Sequence, residues 1–119
     1  MEILLAEDNP FNQALATAIL GKLGYSYDTA ENGEEVLNRL SEKVYDVILM
    51  DVQMPEMDGL EATRLIRGQQ TNRQPVIIAM TANAMHEDRE ECLAAGMNDY
   101  LSKPIKPGDV VTILKKWAI

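Results

Sequence analysis

Three short apolar runs divide the chain at regular intervals. They are Ile3-Leu4-Leu5-Ala6, Val47-Ile48-Leu49-Met50 and Val76-Ile77-Ile78-Ala79-Met80. Because every position in a run is apolar, both faces of each predicted strand are buried, as in the centre of a parallel sheet. Two weaker runs, Ser26 to Ala30 and Asp99 to Ser102, carry fewer apolar residues. The pattern therefore predicts three central strands and two edge strands.

The segments between these runs have apolar residues at helical spacing. The first predicted helix has Asn9 as its N-cap, Pro10 in its first turn and Gly24 as its stop. The segment from Glu87 to Ala95 is helical by composition but has a thin apolar stripe. The first, second, third and fifth predicted helices have clearer apolar faces. In chain order these are formed by Phe11, Leu15, Ile19 and Leu23; Val36, Leu37 and Leu40; Ala62, Leu65 and Ile66; and Val110, Ile113, Leu114 and Trp117.

Strand and helix alternate five times along the chain. This alternation predicts an α/β fold in which a doubly wound, five-stranded parallel sheet, (βα)5, is covered by helices on both faces. If the two weaker strands are the edges, the strand order is 2-1-3-4-5, and strands 1 and 3 meet where the winding reverses. Ligands bind at such switch points. With no repeat or linker visible, residues 1–119 are predicted to form one domain.

Composition and charge narrow the possible partners. The chain is 46% hydrophobic and 25% charged, which is typical of a folded domain. Its 11 basic against 19 acidic residues give a net charge of -8, which argues against direct binding to nucleic acid or an anionic membrane. The single cysteine, Cys92, cannot form an internal disulfide, and no apolar run resembles a membrane span or a signal peptide. We therefore expect a cytoplasmic protein.

Polar residues stand at the carboxyl ends of the predicted strands: Glu7 and Asp8, then Asp51, Thr81 and Lys103. Three carboxylates on one edge repel each other unless a cation joins them. Oxygen ligands favour a hard divalent ion, and we expect Mg²⁺, which keeps coordination positions free for a phosphate. The lysine and the threonine could then bind phosphoryl oxygens, and one carboxylate could act as a nucleophile.

The motifs around these residues read AEDNPFNQ, MDVQMPEMDG, MTANAM and LSKPI. Together they resemble the receiver domain of two-component response regulators over essentially the whole chain. The amino-acid sequences of the motifs are most similar to those of receivers attached to hybrid sensor histidine kinases. The resemblance implies a flavodoxin-like fold with the same strand order, because a chemotaxis receiver is a known example of that order. It also implies a phosphoprotein of a two-component phosphorelay. Glu7 stands where many members of the family have aspartate.

The resemblance implies a role for each carboxylate. Asp51 would accept a phosphoryl group from a phosphohistidine on a histidine kinase or a histidine phosphotransfer domain. Asp8 and Asp51 would bind Mg²⁺ directly, the backbone carbonyl of Gln53 would be a third ligand, and Glu7 would act through a water. Gln53 and Asn83, two residues after the phosphoacceptor and the threonine, would tune the lifetime of the phosphate.

The same resemblance implies a conformational switch. Thr81 and Lys103 would bind the phosphoryl oxygens, and the bond before Pro104 is often cis in the family. Thr81 and Tyr100 would then remodel the face formed by helix 4, strand 5 and helix 5. It would be no enzyme in the usual sense, since it would catalyse only its own phosphorylation and dephosphorylation. No apolar or paired-charge pattern on the helix 4 and helix 5 face compels dimerisation, so we expect a monomer.

Three other functions fit parts of the sequence. A Mg²⁺-dependent phosphohydrolase of the haloacid dehalogenase type also forms an aspartyl phosphate, but its second Asp is replaced here by Gln53, which cannot transfer a proton. A flavodoxin-like flavin binder would need phosphate-binding hydroxyl groups in its first loop, where AEDNPF offers carboxylates. A receiver that makes only phosphorylation-independent contacts would not need all five polar sites.

Overall fold

The computed structural model describes residues 1–69, 74–82 and 86–117, in which five parallel strands alternate with five helices. The strands are β1 (Ile3–Ala6), β2 (Tyr27–Ala30), β3 (Val47–Asp51), β4 (Val76–Thr81) and β5 (Asp99–Ser102). The helices are α1 (Pro10–Lys22), α2 (Gly33–Glu42), α3 (Gly59–Gly68), α4 (His86–Ala95) and α5 (Pro107–Lys116). The sheet has the order β2-β1-β3-β4-β5, which confirms the predicted fold.

The core lies on both faces of this sheet, because successive strand residues point in opposite directions. Ile3 and Leu5 of β1 pack with α1 and α5, whereas Leu4 and Ala6 pack with α2, α3 and α4. All four side chains are fully buried. The continuous apolar runs seen in the sequence are therefore explained by two packed faces and not by one.

The helix signals in the sequence are mostly confirmed. Asn9 caps α1 by accepting a hydrogen bond from the backbone N–H of Asn12 at 3.0 Å, Pro10 is the first helical residue, and Gly24 follows the helix with a φ of +86°. Phe11 differs from its prediction, since its side chain is 78% exposed and the buried stripe of α1 begins further along the helix. Phe11 lies in the first turn, beyond the part of α1 that covers the sheet.

Helices α3 and α4 also differ in detail from their predicted apolar stripes. In α3, Ala62 and Ile66 are buried, but Leu65 is exposed because it points away from the sheet. The thin stripe of α4 is confirmed, with Cys92 and Ala95 as its buried residues. Among the helices that the structure describes, none combines the length and the apolar character needed to cross a bilayer.

A half-buried arginine joins α3 to the loop before β5. Arg67 donates hydrogen bonds from Nε to the carbonyl of Gly96 at 2.8 Å and from Nη2 to Oδ1 of Asn98 at 2.7 Å. Its Nη1 donates to the carbonyl of Pro75, also at 2.8 Å. Burial lowers the pKa of Arg67, but the guanidinium stays charged. This network fixes the starts of β4 and β5 on the edge opposite the carboxyl ends.

Asp99 fixes the end of α5 on β5. Its Oδ2 accepts hydrogen bonds from Lys116 Nζ at 2.9 Å and from Trp117 Nε1 at 3.0 Å, and its Oδ1 accepts one from the backbone N–H of Tyr100. Burial raises the pKa of the Asp99 carboxyl, but these donors outweigh burial and hold the pKa below its ordinary value. The ionised carboxylate therefore stabilises the folded state.

We predict that Asp99→Asn lowers the free energy of unfolding by roughly 1.5 kcal/mol near neutral pH, because hydrogen bonds to a charged acceptor are lost. A depressed pKa in the folded state means that this stabilisation is present above about pH 4 and is lost as the pH falls through the folded-state value. Urea unfolding followed by the fluorescence of Trp117 should therefore show a difference that shrinks with acid. Glu42→Gln, at the exposed end of α2, is the control and should change stability little at neutral pH.

Candidate functional site

Three carboxylates meet at the carboxyl edge of the sheet. Glu7 and Asp8 follow β1, and Asp51 is the last residue of the neighbouring strand β3. One carboxylate oxygen from each lies within 4.8 Å of the others. Glu7 and Asp51 are 1% and 5% exposed, whereas Asp8 is open to solvent. The structure therefore brings together the three acids that the sequence placed at one edge.

The first turn of α1 and the edge of the sheet hold Glu7. Its backbone N–H donates to the carbonyl of Ala30 in β2 at 2.9 Å, which continues the parallel pairing by one residue. The backbone N–H of Asn9 donates to Glu7 Oε2, and Gln13 Nε2 donates to the Glu7 carbonyl, both at 3.3 Å. Asn9 therefore has two roles, since it also caps the helix.

The loop after β3 holds Asp51. The backbone N–H of Gln53 donates to Asp51 Oδ1 at 3.1 Å, and the N–H of Gly59 returns to the carbonyl of Val52 at 3.0 Å. A Cβ atom on Gly59 would collide with the backbone oxygen of Asp51. The last residue of the MDVQMPEMDG motif must therefore be glycine, because the backbones of Gly59 and Asp51 lie too close together for a side chain.

Lys103 lies between two of the carboxylates. Its Nζ is 2.8 Å from Glu7 Oε1 and 3.0 Å from Asp51 Oδ2, and its side chain is 19% exposed. The backbone N–H of Lys103 donates to the carbonyl of Thr81 at 2.8 Å, which places the ends of β4 and β5 side by side. The Lys103–Pro104 peptide bond is cis, as the resemblance implied.

Burial and charge act in opposite directions on these groups. Burial raises the pKa of the Glu7 carboxyl, the hydrogen bond shared with Asp51 raises it further, and Lys103 opposes both only in part. Burial lowers the pKa of Lys103, but its contacts with Glu7 and Asp51 raise it above its ordinary value. The lysine is therefore held as a cation, and the site keeps an excess of negative charge.

A cavity of about 580 Å³ opens above these side chains. It is lined by Asp8, Asp51, Thr81 and Lys103, and Gln53 stands at its exposed side. The cavity extends to α3 and α4. The polar lining fits an anion held by the lysine and the threonine hydroxyl, with a cation held by the carboxylates. Asn83 lies outside the residues that the structure describes.

Tyr100 lies on β5 and is half-buried, and sequence reasoning missed its partner. Its hydroxyl accepts a hydrogen bond from Arg89 Nη1 at 2.7 Å, and the guanidinium carbon lies 5.3 Å from the centre of the ring. Arg89 belongs to α4, where the sequence shows a basic residue inside the acidic run EDREE. That run indicates a solvated helix face, and nothing in it points to a contact with a tyrosine on another element.

Comparisons with known proteins agree with this geometry. The family model for the response regulator receiver domain matches residues 3–115, so the chain belongs to that family. Hybrid signal transduction histidine kinase B of Dictyostelium discoideum is 42% identical over 97% of the chain, and histidine protein kinase 1 of Candida albicans is 43% identical over 98%. The matched regions are 6% and 5% of those proteins, so the chain spans a small part of its curated relatives.

Two solved structures show the same fold. The receiver domain of sensor histidine kinase PA1611 from Pseudomonas aeruginosa PAO1, with a magnesium ion coordinated in its active site cleft, has a TM-score of 0.89 and 49% identity, covering 98% of this chain and 95% of that one. A chain in the co-crystal structure of the Saccharomyces cerevisiae phosphotransfer protein Ypd1 with the receiver domain of Ssk1 has a TM-score of 0.90 and 32% identity. That match covers 98% of this chain and 88% of the other.

We predict that Lys103→Met lowers the free energy of unfolding by roughly 2 to 4 kcal/mol in metal-free buffer at neutral pH. Removal of the ammonium group leaves two buried carboxylates facing each other without a cation. Urea unfolding in the presence of EDTA measures the loss. Lys106→Met, which removes an exposed lysine from the same loop, is the matched control and should change stability little. Equal stability of both variants would show that the Lys103 contacts contribute nothing net.

Proposed function

We propose that residues 1–119 act as one receiver domain, in which the Asp51 carboxylate accepts a phosphoryl group from a phosphohistidine. One observation carries this proposal. Asp51 is buried at the base of an open cavity, clustered with two further carboxylates and 3.0 Å from the ammonium group of Lys103. A nucleophilic carboxylate, a cation for phosphoryl oxygens and a set of oxygen ligands for a metal therefore share one site.

The donor set fits Mg²⁺. Hard divalent ions take oxygen ligands, and the clustered oxygens of Glu7, Asp8 and Asp51 offer three. We assign Asp8, Asp51 and the backbone carbonyl of Gln53 as direct ligands, with Glu7 acting through a water. When bound, the ion neutralises charge between the carboxylate and the phosphoryl oxygens. A magnesium ion occupies the active site cleft of the similar PA1611 receiver, which supports this assignment.

In the transfer, one oxygen of Asp51 forms a bond to phosphorus while the phosphorus–nitrogen bond of phosphohistidine breaks. The electron pair of that bond stays on the imidazole nitrogen. Lys103 exchanges a carboxylate contact for a phosphoryl oxygen, and the Thr81 hydroxyl donates to another. The ends of β4 and β5 lie side by side, so both side chains are within reach of the transferred group.

The partner that supplies the phosphoryl group is a histidine kinase or a histidine phosphotransfer domain. The relatives named above are histidine kinases, and the one from Dictyostelium discoideum is named as a hybrid kinase. The similar Ssk1 receiver is found in complex with the phosphotransfer protein Ypd1. We propose that this chain serves as such a receiver within a cytoplasmic phosphorelay, as a monomer. The net charge of -8 is consistent with a protein partner in place of nucleic acid.

The proposed domain does not turn over an external substrate. A phosphohydrolase of the haloacid dehalogenase type needs an acid/base two residues after its nucleophile, and the amide of Gln53 cannot act as an acid or a base there. The aspartyl phosphate should therefore persist. A domain that served only as a phosphorylation-independent contact module would not need a lysine between two buried carboxylates, a contact that costs desolvation.

We predict one phosphoryl increment in the intact mass after incubation with Mg²⁺ and acetyl phosphate. Asp51→Asn should abolish the increment, because the nucleophilic oxygen is replaced by an amide. EDTA should also abolish it if the oxygen cluster binds the ion. Asp109→Asn, at an exposed position in the first turn of α5, is the control and should keep the increment.

The same time course tests the proposed role of Gln53. After removal of the phosphodonor, substitutions at Gln53 and at Asn83 should change the rate at which the increment decays. Unaltered decay in both variants would remove these residues from the control of lifetime. An increment that survives in Asp51→Asn would contradict the phosphoacceptor assignment itself.

We propose that phosphorylation also changes the face formed by α4, β5 and α5. Thr81 and Tyr100 lie on adjacent strands, and Tyr100 is held by Arg89 of α4. Movement of the Thr81 hydroxyl toward the phosphoryl group would open space beside β4 and allow the tyrosine ring to turn. The Arg89 contact would then break or follow the ring, which links the site to the position of α4.

We predict that beryllofluoride, a mimic of the phosphoryl group, shifts the ring resonances of Tyr100 and the amide resonances between residues 82 and 100. Two-dimensional NMR of the protein with and without the mimic measures these shifts. Tyr45 provides an internal control, since it lies before β3 and donates to Asp28 Oδ2 at 2.6 Å, at the other edge of the sheet. An unchanged Tyr100 ring in a protein that binds beryllofluoride would end the switch proposal.

A further inference from the structure

The loop between β3 and α3, residues 52–58, controls two groups of the proposed metal site. Its Gln53 N–H donates to Asp51 Oδ1 at 3.1 Å, which orients the carboxylate. The carbonyl of the same residue is the backbone ligand in the function proposed above, on which this inference rests. A change in the path of the loop would therefore move a side-chain ligand and a backbone ligand together.

The loop follows a tight path that its own sequence does not favour. The backbone N–H of Met57 donates to the carbonyl of Pro55 at 2.7 Å, and Glu56 between them has a φ of +66°. This left-handed conformation is unfavourable for a residue with a side chain and persists only when surrounding contacts hold it. The restraint should then come from outside the loop.

The amino-terminal turn of α2 supplies such contacts. The backbone N–H of Gly33 donates to the carbonyl of Met57 at 2.9 Å, and Asn32 Nδ2 donates to Glu56 Oε2 at 3.3 Å. Asn32 also caps α2, because its Oδ1 accepts from the backbone N–H of Glu35 at 2.9 Å. The N-cap residue Asn32 and the first helical residue Gly33 thus bind Glu56, which has the strained backbone, and its neighbour Met57.

The contact is so close that only glycine fits at position 33. A Cβ atom there would lie 2.7 Å from Met57 Cγ, 2.8 Å from the Met57 carbonyl oxygen and 2.9 Å from Met57 Cβ. Two of these atoms belong to or adjoin the loop backbone, so an added methyl group must move the loop itself. Gly21, Gly68 and Gly108 have no such neighbours within 4 Å.

We infer that Asn32 and Gly33 are positioning residues for the divalent cation at Asp51, acting through the loop they hold. Neither residue belongs to the carboxylate cluster or lines its cavity. Their effect is on geometry. They hold Glu56 and Met57 in place, and the 52–58 loop to which these residues belong sets the orientation of Asp51 and of the Gln53 carbonyl. Outer contacts of this kind typically change metal affinity by about 10-fold to 100-fold.

The test is a titration of the metal-free protein with MgCl2, followed by the amide resonance of Gln53 in two-dimensional NMR. Gly33→Ala should weaken Mg²⁺ binding on the order of ten-fold while the protein remains folded. Gly21→Ala, which adds the same methyl group to a helix with open space around it, should keep the wild-type affinity. Metal affinity is read only from folded protein, so a loss of stability alone does not mimic the effect.

A second variant separates the loop contact from the stability of α2. Asn32→Ser keeps a side-chain oxygen that can cap the helix but lacks the amide donor that reaches Glu56. It should also weaken Mg²⁺ binding, by less than Gly33→Ala. If this variant folds and both substitutions leave the Mg²⁺ affinity unchanged, the inference is overturned and the proposed function stands. If the wild-type protein shows no Mg²⁺ binding, the metal assignment under the proposed function fails, and this inference fails with it.

Discussion

The repulsion among the carboxylates at one edge of the sheet is the constraint on which the site depends. Parallel strands place Glu7, Asp8 and Asp51 together, and burial of two of them increases the cost. Lys103 offsets part of this cost by contacting Glu7 and Asp51, which leaves an excess of negative charge. The site therefore keeps uncompensated negative charge, and a bound cation can neutralise it and hold a phosphoryl group there.

Two networks of charged hydrogen bonds lie away from this edge. Arg67 joins α3 to the starts of β4 and β5, and Asp99 binds the end of α5 through Lys116 and Trp117. Both networks satisfy their charged groups with several donors or acceptors, whereas the carboxyl edge leaves charge unbalanced. The unbalanced charge is therefore confined to the functional edge, while these two networks stabilise other parts of the domain.

Much of this arrangement could be predicted from the sequence. Continuous apolar runs located the central strands, and the polar residue after each run located the carboxyl edge, because strand ends in a parallel sheet share one side. The Arg89–Tyr100 contact and the contact of Gly33 with Met57 could not be predicted. Each joins elements distant in sequence through the register of a helix against its neighbour, which local patterns do not encode. Phe11 and Leu65 were misplaced for a related reason, since helical spacing alone does not define how far the sheet extends under a helix.

The strand order has a consequence for the order in which the domain is built during synthesis. The first three strands are adjacent in the sheet, so an amino-terminal half ending at Asp51 can form a contiguous unit. That half contains all three acids, whereas Lys103, which compensates two of them, is made only after β5. In a partly made domain the repulsion among these acids is therefore uncompensated until the segment that carries Lys103 follows β5. Electrostatic attraction, in addition to burial of apolar side chains, then favours the addition of β5 to the edge of the sheet.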